Sequence, residues 1–182
     1  MIWLISGLFL WVAGHSFKRV LPDVRQSLGD PGKGVSAAII LAGVVLMVIG
    51  YRGWDADIAF VPPDWGRHIN NLLMLIAVVL FGLGGSKSTF RGALRHPMLF
   101  GMATWAVAHL LANGDWASII LFGGLGIWAL AEMVVINHAE PDWDRPDRGT
   151  TGGTTKLLAV SAVLYVAFAG VHIWLGYWPF AT

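Results

Sequence analysis

Residues 35–51 read VSAAIILAGVVLMVIGY, an apolar segment without a charged residue that decides the fold class. At 1.5 Å of rise per helical residue, this segment would cover about 25 Å, close to the roughly 30 Å hydrocarbon core of a bilayer. Within lipid, the backbone must satisfy its hydrogen bonds internally, which favours a helix over an open strand. The segment therefore predicts a transmembrane helix.

Five other apolar segments have a similar character. The chain is therefore predicted to be an all-α, polytopic membrane helix bundle with about six spans, forming a single domain over residues 1–182. The composition agrees, because 56% of the residues are hydrophobic and 13% are charged, against about a quarter charged in soluble domains. The predicted spans are 2–17, 35–51, 69–85, 97–112, 116–136 and 157–178.

The connections between these spans carry two local signals. Asn113-Gly114-Asp115 separates the fourth and fifth spans, and Asp is a favoured helix N-cap, so a tight helical hairpin is predicted there. The fifth loop, residues 138–155, mixes acidic and basic residues with Pro and Gly. We expect it to be a flexible connection.

The positive charges predict the orientation. Ten of the twelve basic residues fall in the first, third and fifth loops, while only Arg52 and Arg67 fall in the others. Because loops rich in Lys and Arg stay in the cytoplasm, both termini are predicted to be non-cytoplasmic. We expect a multi-pass protein of a bacterial inner (cytoplasmic) membrane with periplasmic termini. The ten residues are Lys18, Arg19, Arg25, Lys33, Lys87, Arg91, Arg95, Arg145, Arg148 and Lys156.

The overall charge and the absence of cysteine exclude several classes of function. A formal net charge of +1 does not indicate a nucleic-acid partner, which a basic stripe would attract; the expected surroundings are the lipid bilayer. The chain has no cysteine, which excludes disulfides, thiolate ligands and thiol catalysis. A metal ion or haem would need His, Met, carboxylate or backbone oxygen ligands.

Ionisable residues inside predicted spans are candidates for function, because burying them in lipid costs free energy. His109 shares a helix face with Trp105 and Asn113 at intervals of four residues, and this polar, aromatic face should point into the bundle. Two inward histidines on different helices can hold haem b. Predicted depths leave two pairs open: His15 with His109, about 9 Å apart in depth, or His109 with His172, about 6 Å apart.

A second group of polar residues is predicted near the cytoplasmic face. It contains His15, Glu132, Arg95 and His96, and His96 precedes a proline suited to the first turn of a helix. Arg95, or the basic residues that follow His15, could pair with haem propionates. Glu132 could instead pair with Arg95, and His172 could be a structural histidine that bonds a neighbouring helix.

Three motifs carry a resemblance to a known family. The first helix contains Gly14-His15-Ser16, Leu94-Arg95-His96-Pro97 follows the third span, and residues 105–115 read WAVAHLLANGD. Together they resemble the NnrU family of bacterial membrane proteins over essentially the whole chain. The resemblance implies a role linked to nitrite and nitric oxide reduction in denitrification, with nitrite or nitric oxide reductase components as partners.

The resemblance also implies a cofactor. The NnrU family is related to zeta-carotene isomerase, a membrane haem b protein, and the isomerase's axial ligands correspond by motif to His15 and His109. Arg95 and His96 would then belong to the cofactor-binding region. The isomerase's ligand exchange with a cysteine does not transfer, because this chain has none. As an enzyme, the chain would be a haem-dependent carotenoid cis-trans isomerase or a redox protein.

A more distant resemblance gives an alternative of another class. Membrane methyltransferases of the isoprenylcysteine carboxyl methyltransferase type also place Arg-His-Pro before a helical hairpin, where it helps to bind S-adenosylmethionine. They continue with paired glutamates, whereas this chain offers Glu132 and, later, Glu140. A third alternative is a haem-free helper that holds a reductase subunit in the membrane.

Overall fold

The structure, a computed structural model, describes residues 1–180. Within this range the chain forms seven helices and no extended strand. The sixth helix is irregular near its start, where Ile119–Gly123 form a π-helical segment. The helices are α1 (Ile2–Val20), α2 (Pro22–Ser27), α3 (Pro31–Arg52), α4 (Gly66–Leu83), α5 (Pro97–Ala112), α6 (Trp116–Ala139) and α7 (Thr151–Trp174).

Four of these helices are long and apolar enough to cross a membrane: α3, α4, α6 and α7. Helix α5 is apolar but shorter. Only 11% of the most apolar window of α7 is buried inside the protein. Leaving that much apolar surface in water would cost about 25 cal/mol per Å², so its natural surroundings are lipid. The prediction of an all-α membrane protein is confirmed, while the count of six spans and the orientation stay predictions.

Helix ends agree with the predictions where a local signal marks them. Helix α5 covers the predicted 97–112, with His96 as its N-cap and Pro97 in its first turn. Helix α7, by contrast, begins at Thr151 rather than at 157, because the Thr150 side chain accepts a hydrogen bond from Gly153 N and caps it. It ends at Trp174 rather than at 178. Helix α6 extends to Ala139, so His138 lies in its last turn and not in a loop.

The chain divides into two compact units, of which the first contains residues 1–60 and 115–124. In this unit α1 packs on α3 through glycines. A Cβ atom on Gly7 would lie 2.6 Å from both Gly43 O and Met47 N, and one on Gly50 would lie 2.7 Å from Leu4 Cα. Small residues let two backbones approach closely, which gains dispersion contacts where lipid offers no hydrophobic drive. The close approach of α1 and α3 therefore depends on glycine at these positions.

The start of α6 belongs to the same unit and has the predicted cap. The Asp115 side chain accepts hydrogen bonds from Ser118 N (2.8 Å) and from Ser118 Oγ (2.6 Å). Tyr51 Oη lies 3.0 Å from Ser118 Oγ, within hydrogen-bonding distance. Trp116 N donates to Asp57 O, which fastens the preceding loop. A side-chain cap and two tertiary hydrogen bonds thus fix where this helix begins.

The second unit contains residues 61–114 and the chain from Leu125 onward. Helices α4 and α5 pack antiparallel in this unit, again through glycines. A Cβ atom on Gly66 would overlap Leu111 O, and one on Gly101 would lie 3.2 Å from Ala77 O. Asn70, only 9% exposed, donates from Nδ2 to Ala108 O at 2.7 Å. This bond fixes the register of α5 against α4 beside His109.

Replacing Asn70 with Leu should lower the stability of this helix pair. The substitution keeps the volume similar but removes one buried interhelical hydrogen bond, which is worth about 1 kcal/mol in membrane proteins. For a chain of this size, that corresponds to a decrease of about 3 °C in melting temperature, measurable by thermal unfolding in detergent. The neighbouring Asn71→Leu is the control. Equal melting temperatures for the two variants would contradict a stabilising role for the bond.

The connection between α6 and α7 is not the free loop that its composition indicates. Thr150 N donates to Lys87 O at 2.8 Å, and Arg145 Nε donates to Gly92 O at 2.8 Å. Thr154 Oγ1 accepts from Thr89 N at 3.0 Å and also lies 3.0 Å from Ser88 Oγ. These bonds fasten residues 140–150, here called the clasp segment, and the first turn of α7 to the segment before α5. Flexibility was predicted because composition does not reveal these distant partners.

Candidate functional site

His109 lies on α5 between Trp105 and Asn113, the two residues that were predicted to share its helix face. The His109 ring centre lies 4.9 Å from that of Trp105, and His109 Nδ1 lies 2.9 Å from Trp105 O. Asn113 Nδ2 donates to His109 O at 2.9 Å, closing the end of the helix. A carbonyl oxygen can only accept, so Nδ1 carries the proton and the neutral ring would bind a metal through Nε2.

His172 approaches His109 from α7, within the same unit. The two ring centres are 6.4 Å apart and the ring planes are inclined by 39°. His172 Nδ1 lies 2.7 Å from Phe168 O, so this ring has the same tautomer as His109. The second of the two pairs that depth left open is therefore a pair of spatial neighbours.

His15 has the same local geometry on α1, in the first unit. Its ring centre lies 4.3 Å from that of Trp11, and Nδ1 lies 2.9 Å from Trp11 O. Trp11 and His15 therefore share one face of α1. All three histidines inside the predicted spans have one ring nitrogen engaged by the carbonyl four residues earlier, an arrangement that fixes ring orientation in metal-binding histidines.

The three histidines share a sequence pattern that predicts this arrangement, and the interval of four between Trp105 and His109 is one case of it. Each of the three histidines follows an aromatic residue by four positions: Trp11 with His15, Trp105 with His109, and Phe168 with His172. The other three histidines follow Asp64, Gly92 and Val134 at that interval. On a helix, residues four apart are neighbours on one face. The pattern therefore separates the oriented histidines from the rest.

Arg95 and His96 form a different cluster at the other end of α5. The Arg95 guanidinium donates to the backbone oxygens of Glu140, Pro141 and Asp142 in the clasp segment. His96 Nε2 lies 2.8 Å from Asn137 Oδ1 on α6. Thirteen helical positions separate His96 from His109, or about 20 Å at 1.5 Å per residue. The structure thus brings Arg95 to the clasp segment and His96 to α6, away from His109.

Glu132 lies on α6 and is only 8% exposed. A carboxylate at this depth of burial needs hydrogen bonds or an opposite charge. Among residues 1–180, no group of three or more His, Cys, Asp or Glu side chains is arranged to hold a metal ion. A metal centre in the described part of the chain would therefore use fewer than three side chains of these types, as an iron already held by a porphyrin does.

Comparison with known proteins identifies the family. The family model described as NnrU protein matches residues 3–179, which is nearly the full length of the chain. Searches among curated proteins and among solved structures find no significant match. The match includes α1, α5 and α7, which carry His15, His109 and His172. The chain therefore belongs to the NnrU family.

Proposed function

We propose that this NnrU-family membrane protein binds haem b within the bilayer and has a redox or accessory role linked to nitrite and nitric oxide reduction. The observation that carries the proposal is the 6.4 Å separation of the His109 and His172 ring centres on two helices of one unit. Both rings engage a backbone carbonyl through Nδ1, which leaves Nε2 as the nitrogen that would bind haem iron. Haem b held by two imidazoles supplies one-electron transfer.

His109 is the residue that would hold the iron in either of the pairs left open by the sequence. Trp105 packs on one side of its ring, and the Trp105 carbonyl holds Nδ1. Asn113 bonds the His109 carbonyl, and Asn70 bonds the carbonyl before it. This arrangement restricts both the ring and the backbone of His109, as the hydrogen bonds around a metal ligand do. His15 is the partner that the family resemblance implies.

The propionate groups would need cationic partners. Arg95 was one candidate, but its guanidinium already donates to three carbonyl oxygens of the clasp segment. Lys18 and Arg19, the other predicted candidates, follow His15 by about one helical turn and would serve only a haem that His15 holds. We place the protein in a bacterial inner membrane with both termini periplasmic, as the distribution of Lys and Arg indicates.

Absorption spectroscopy of the purified full-length protein, expressed with haem supplied, tests the proposal. We expect a Soret band and a haem b pyridine haemochrome near one haem per chain. His109→Ala should reduce haem content at least tenfold, because it removes an iron ligand. His138→Ala changes an exposed histidine at the end of α6 and should have no effect. A wild-type protein without haem, or a His109→Ala variant that retains it, would show the proposal to be wrong.

The same preparation discriminates against the other classes of function. A methyltransferase would bind S-adenosylmethionine near Arg95 and His96, and calorimetry at millimolar ligand would detect it. The contacts of Arg95 and His96 with the clasp segment and α6 favour a structural role. A haem-dependent carotenoid isomerase would need an exchangeable iron position, whereas a site saturated by two imidazoles favours electron transfer. Co-purification with nitric oxide reductase components would support the accessory role.

A further inference from the structure

We infer that His172 is the second axial ligand of the haem, opposite His109, so that the site is built from α5 and α7 of the second unit. The inference rests on the proposed function and names a ligand that the family resemblance does not. The resemblance assigns the second position to His15. The geometry of the second unit supports a different assignment.

The separation of the two rings agrees with ligation of one metal ion. A metal–imidazole bond is about 2 Å long, and the ring centre lies about 1 Å behind the bonding nitrogen. Two imidazoles on opposite sides of one ion therefore have centres about 6 Å apart. The centres of His109 and His172 are 6.4 Å apart. The two helices thus already hold the rings at the spacing that a shared iron requires.

The orientation of the rings supports the same assignment. Each Nδ1–H donates to the carbonyl four residues earlier, at 2.9 Å for His109 and 2.7 Å for His172. Ligation would therefore use Nε2 on both rings, which is the nitrogen farther from each helix backbone. Two imidazoles can bind one metal ion over a wide range of angles between their planes, so the 39° inclination is compatible with ligation. The two carbonyl contacts fix the orientation of each ring before any ligand binds.

The position of the two residues also favours ligation over simple packing. His172 lies on α7, the helix with the smallest buried share among the four candidate spans. An imidazole on such a helix could turn toward lipid or the membrane interface and lose few packing contacts. Instead, it lies beside His109, and keeping two polar rings together within the membrane costs free energy that a bound metal would recover.

Spectroscopy of glycine variants tests the assignment, with imidazole as a replacement ligand. His172→Gly should convert a low-spin haem spectrum to a high-spin one, or reduce haem content at least fivefold. Added imidazole should restore the low-spin spectrum, since it can occupy the space of the missing side chain. His15→Gly should retain the wild-type spectrum, as should the exposed control His138→Ala. A structural defect at position 172 would not be corrected by free imidazole.

His172→Met provides a second measurement if the glycine variant fails to assemble. Methionine can ligate iron and raises the reduction potential relative to histidine. We expect a clear upward shift of the midpoint potential. The assignment is overturned if the wild type binds haem but His172→Gly and His172→Met leave its spectrum and potential unchanged. A loss of the low-spin spectrum in His15→Gly alone would assign the ligand to His15. Absence of haem from the wild type would instead refute the proposed function itself.

Discussion

Gly50→Ala is expected to lower the melting temperature of the protein by about 6 °C, although alanine is the better helix former. A Cβ atom at this position would overlap the backbone of Leu4, lying 2.7 Å from its Cα, and Leu4 is fully buried. Overpacking costs about 1–3 kcal/mol, and a collision between two backbones belongs at the upper end because no rotamer can relieve it. The gain in helix propensity is about 1 kcal/mol.

The net loss of about 2 kcal/mol converts to the expected shift at about 2–4 °C per kcal/mol for a chain of this size. Thermal unfolding in detergent, followed by the monodisperse fraction after heating, measures it. Gly34→Ala is a matched control on the same helix, because a Cβ atom there meets nothing within 4 Å. The control should be neutral or slightly stabilising. If both variants have the same melting temperature, the close approach of α1 and α3 does not contribute to stability.

Gly153→Ala should release the clasp segment and increase its cleavage by trypsin about tenfold. A Cβ atom on Gly153 would overlap the carbonyl group of Lys87, the same carbonyl that accepts the Thr150 hydrogen bond. Relief of this overlap requires the first turn of α7 to move away from residues 87–89. The contacts of Thr154 with Ser88 and Thr89 would then be lost together.

Limited proteolysis reports this opening because cleavage follows the population of the open form. A tenfold increase corresponds to about 1.4 kcal/mol, within the usual range for overpacking. Cleavage is expected after Arg148, since Arg145 is followed by proline. Gly152→Ala is the matched control, because its Cβ atom would have a neighbour no nearer than 4.0 Å. Equal cleavage rates for the two variants would mean that the clasp does not depend on this contact.

The difference between the two glycines in α7 illustrates how far sequence reading can go. Gly152 and Gly153 are adjacent, and no property of the sequence distinguishes them. The carbonyl group of Lys87, more than sixty residues earlier, leaves no room for a Cβ atom at Gly153 but does not approach Gly152. The same applies to Asn70, whose partner Ala108 lies on another helix. Such pairings depend on the packing of distant segments, which hydropathy and capping signals do not encode.

The candidate site, too, could be predicted from the sequence only in part. The sequence placed His109 beside Trp105 and Asn113, because residues four apart on a helix must be neighbours. It left His15 and His172 as alternative partners, because depth along a helix does not specify rotation or lateral position. The contact between His109 and His172 joins α5 to α7 and appears only in the tertiary structure. Arg95 likewise finds its carbonyl partners in the distant clasp segment.

By itself, the sequence determined that this is an all-α membrane protein, where α5 begins and ends, and that Asp115 caps the next helix. These features follow from local physics: the transfer of apolar side chains to lipid, the fit of proline to a first turn, and a carboxylate that bonds free amides. The tertiary structure alone decided which glycines permit close packing, what fastens the clasp segment, and that His172 lies beside His109. Those outcomes depend on contacts between residues far apart in the chain, and such contacts exist only when the helices pack.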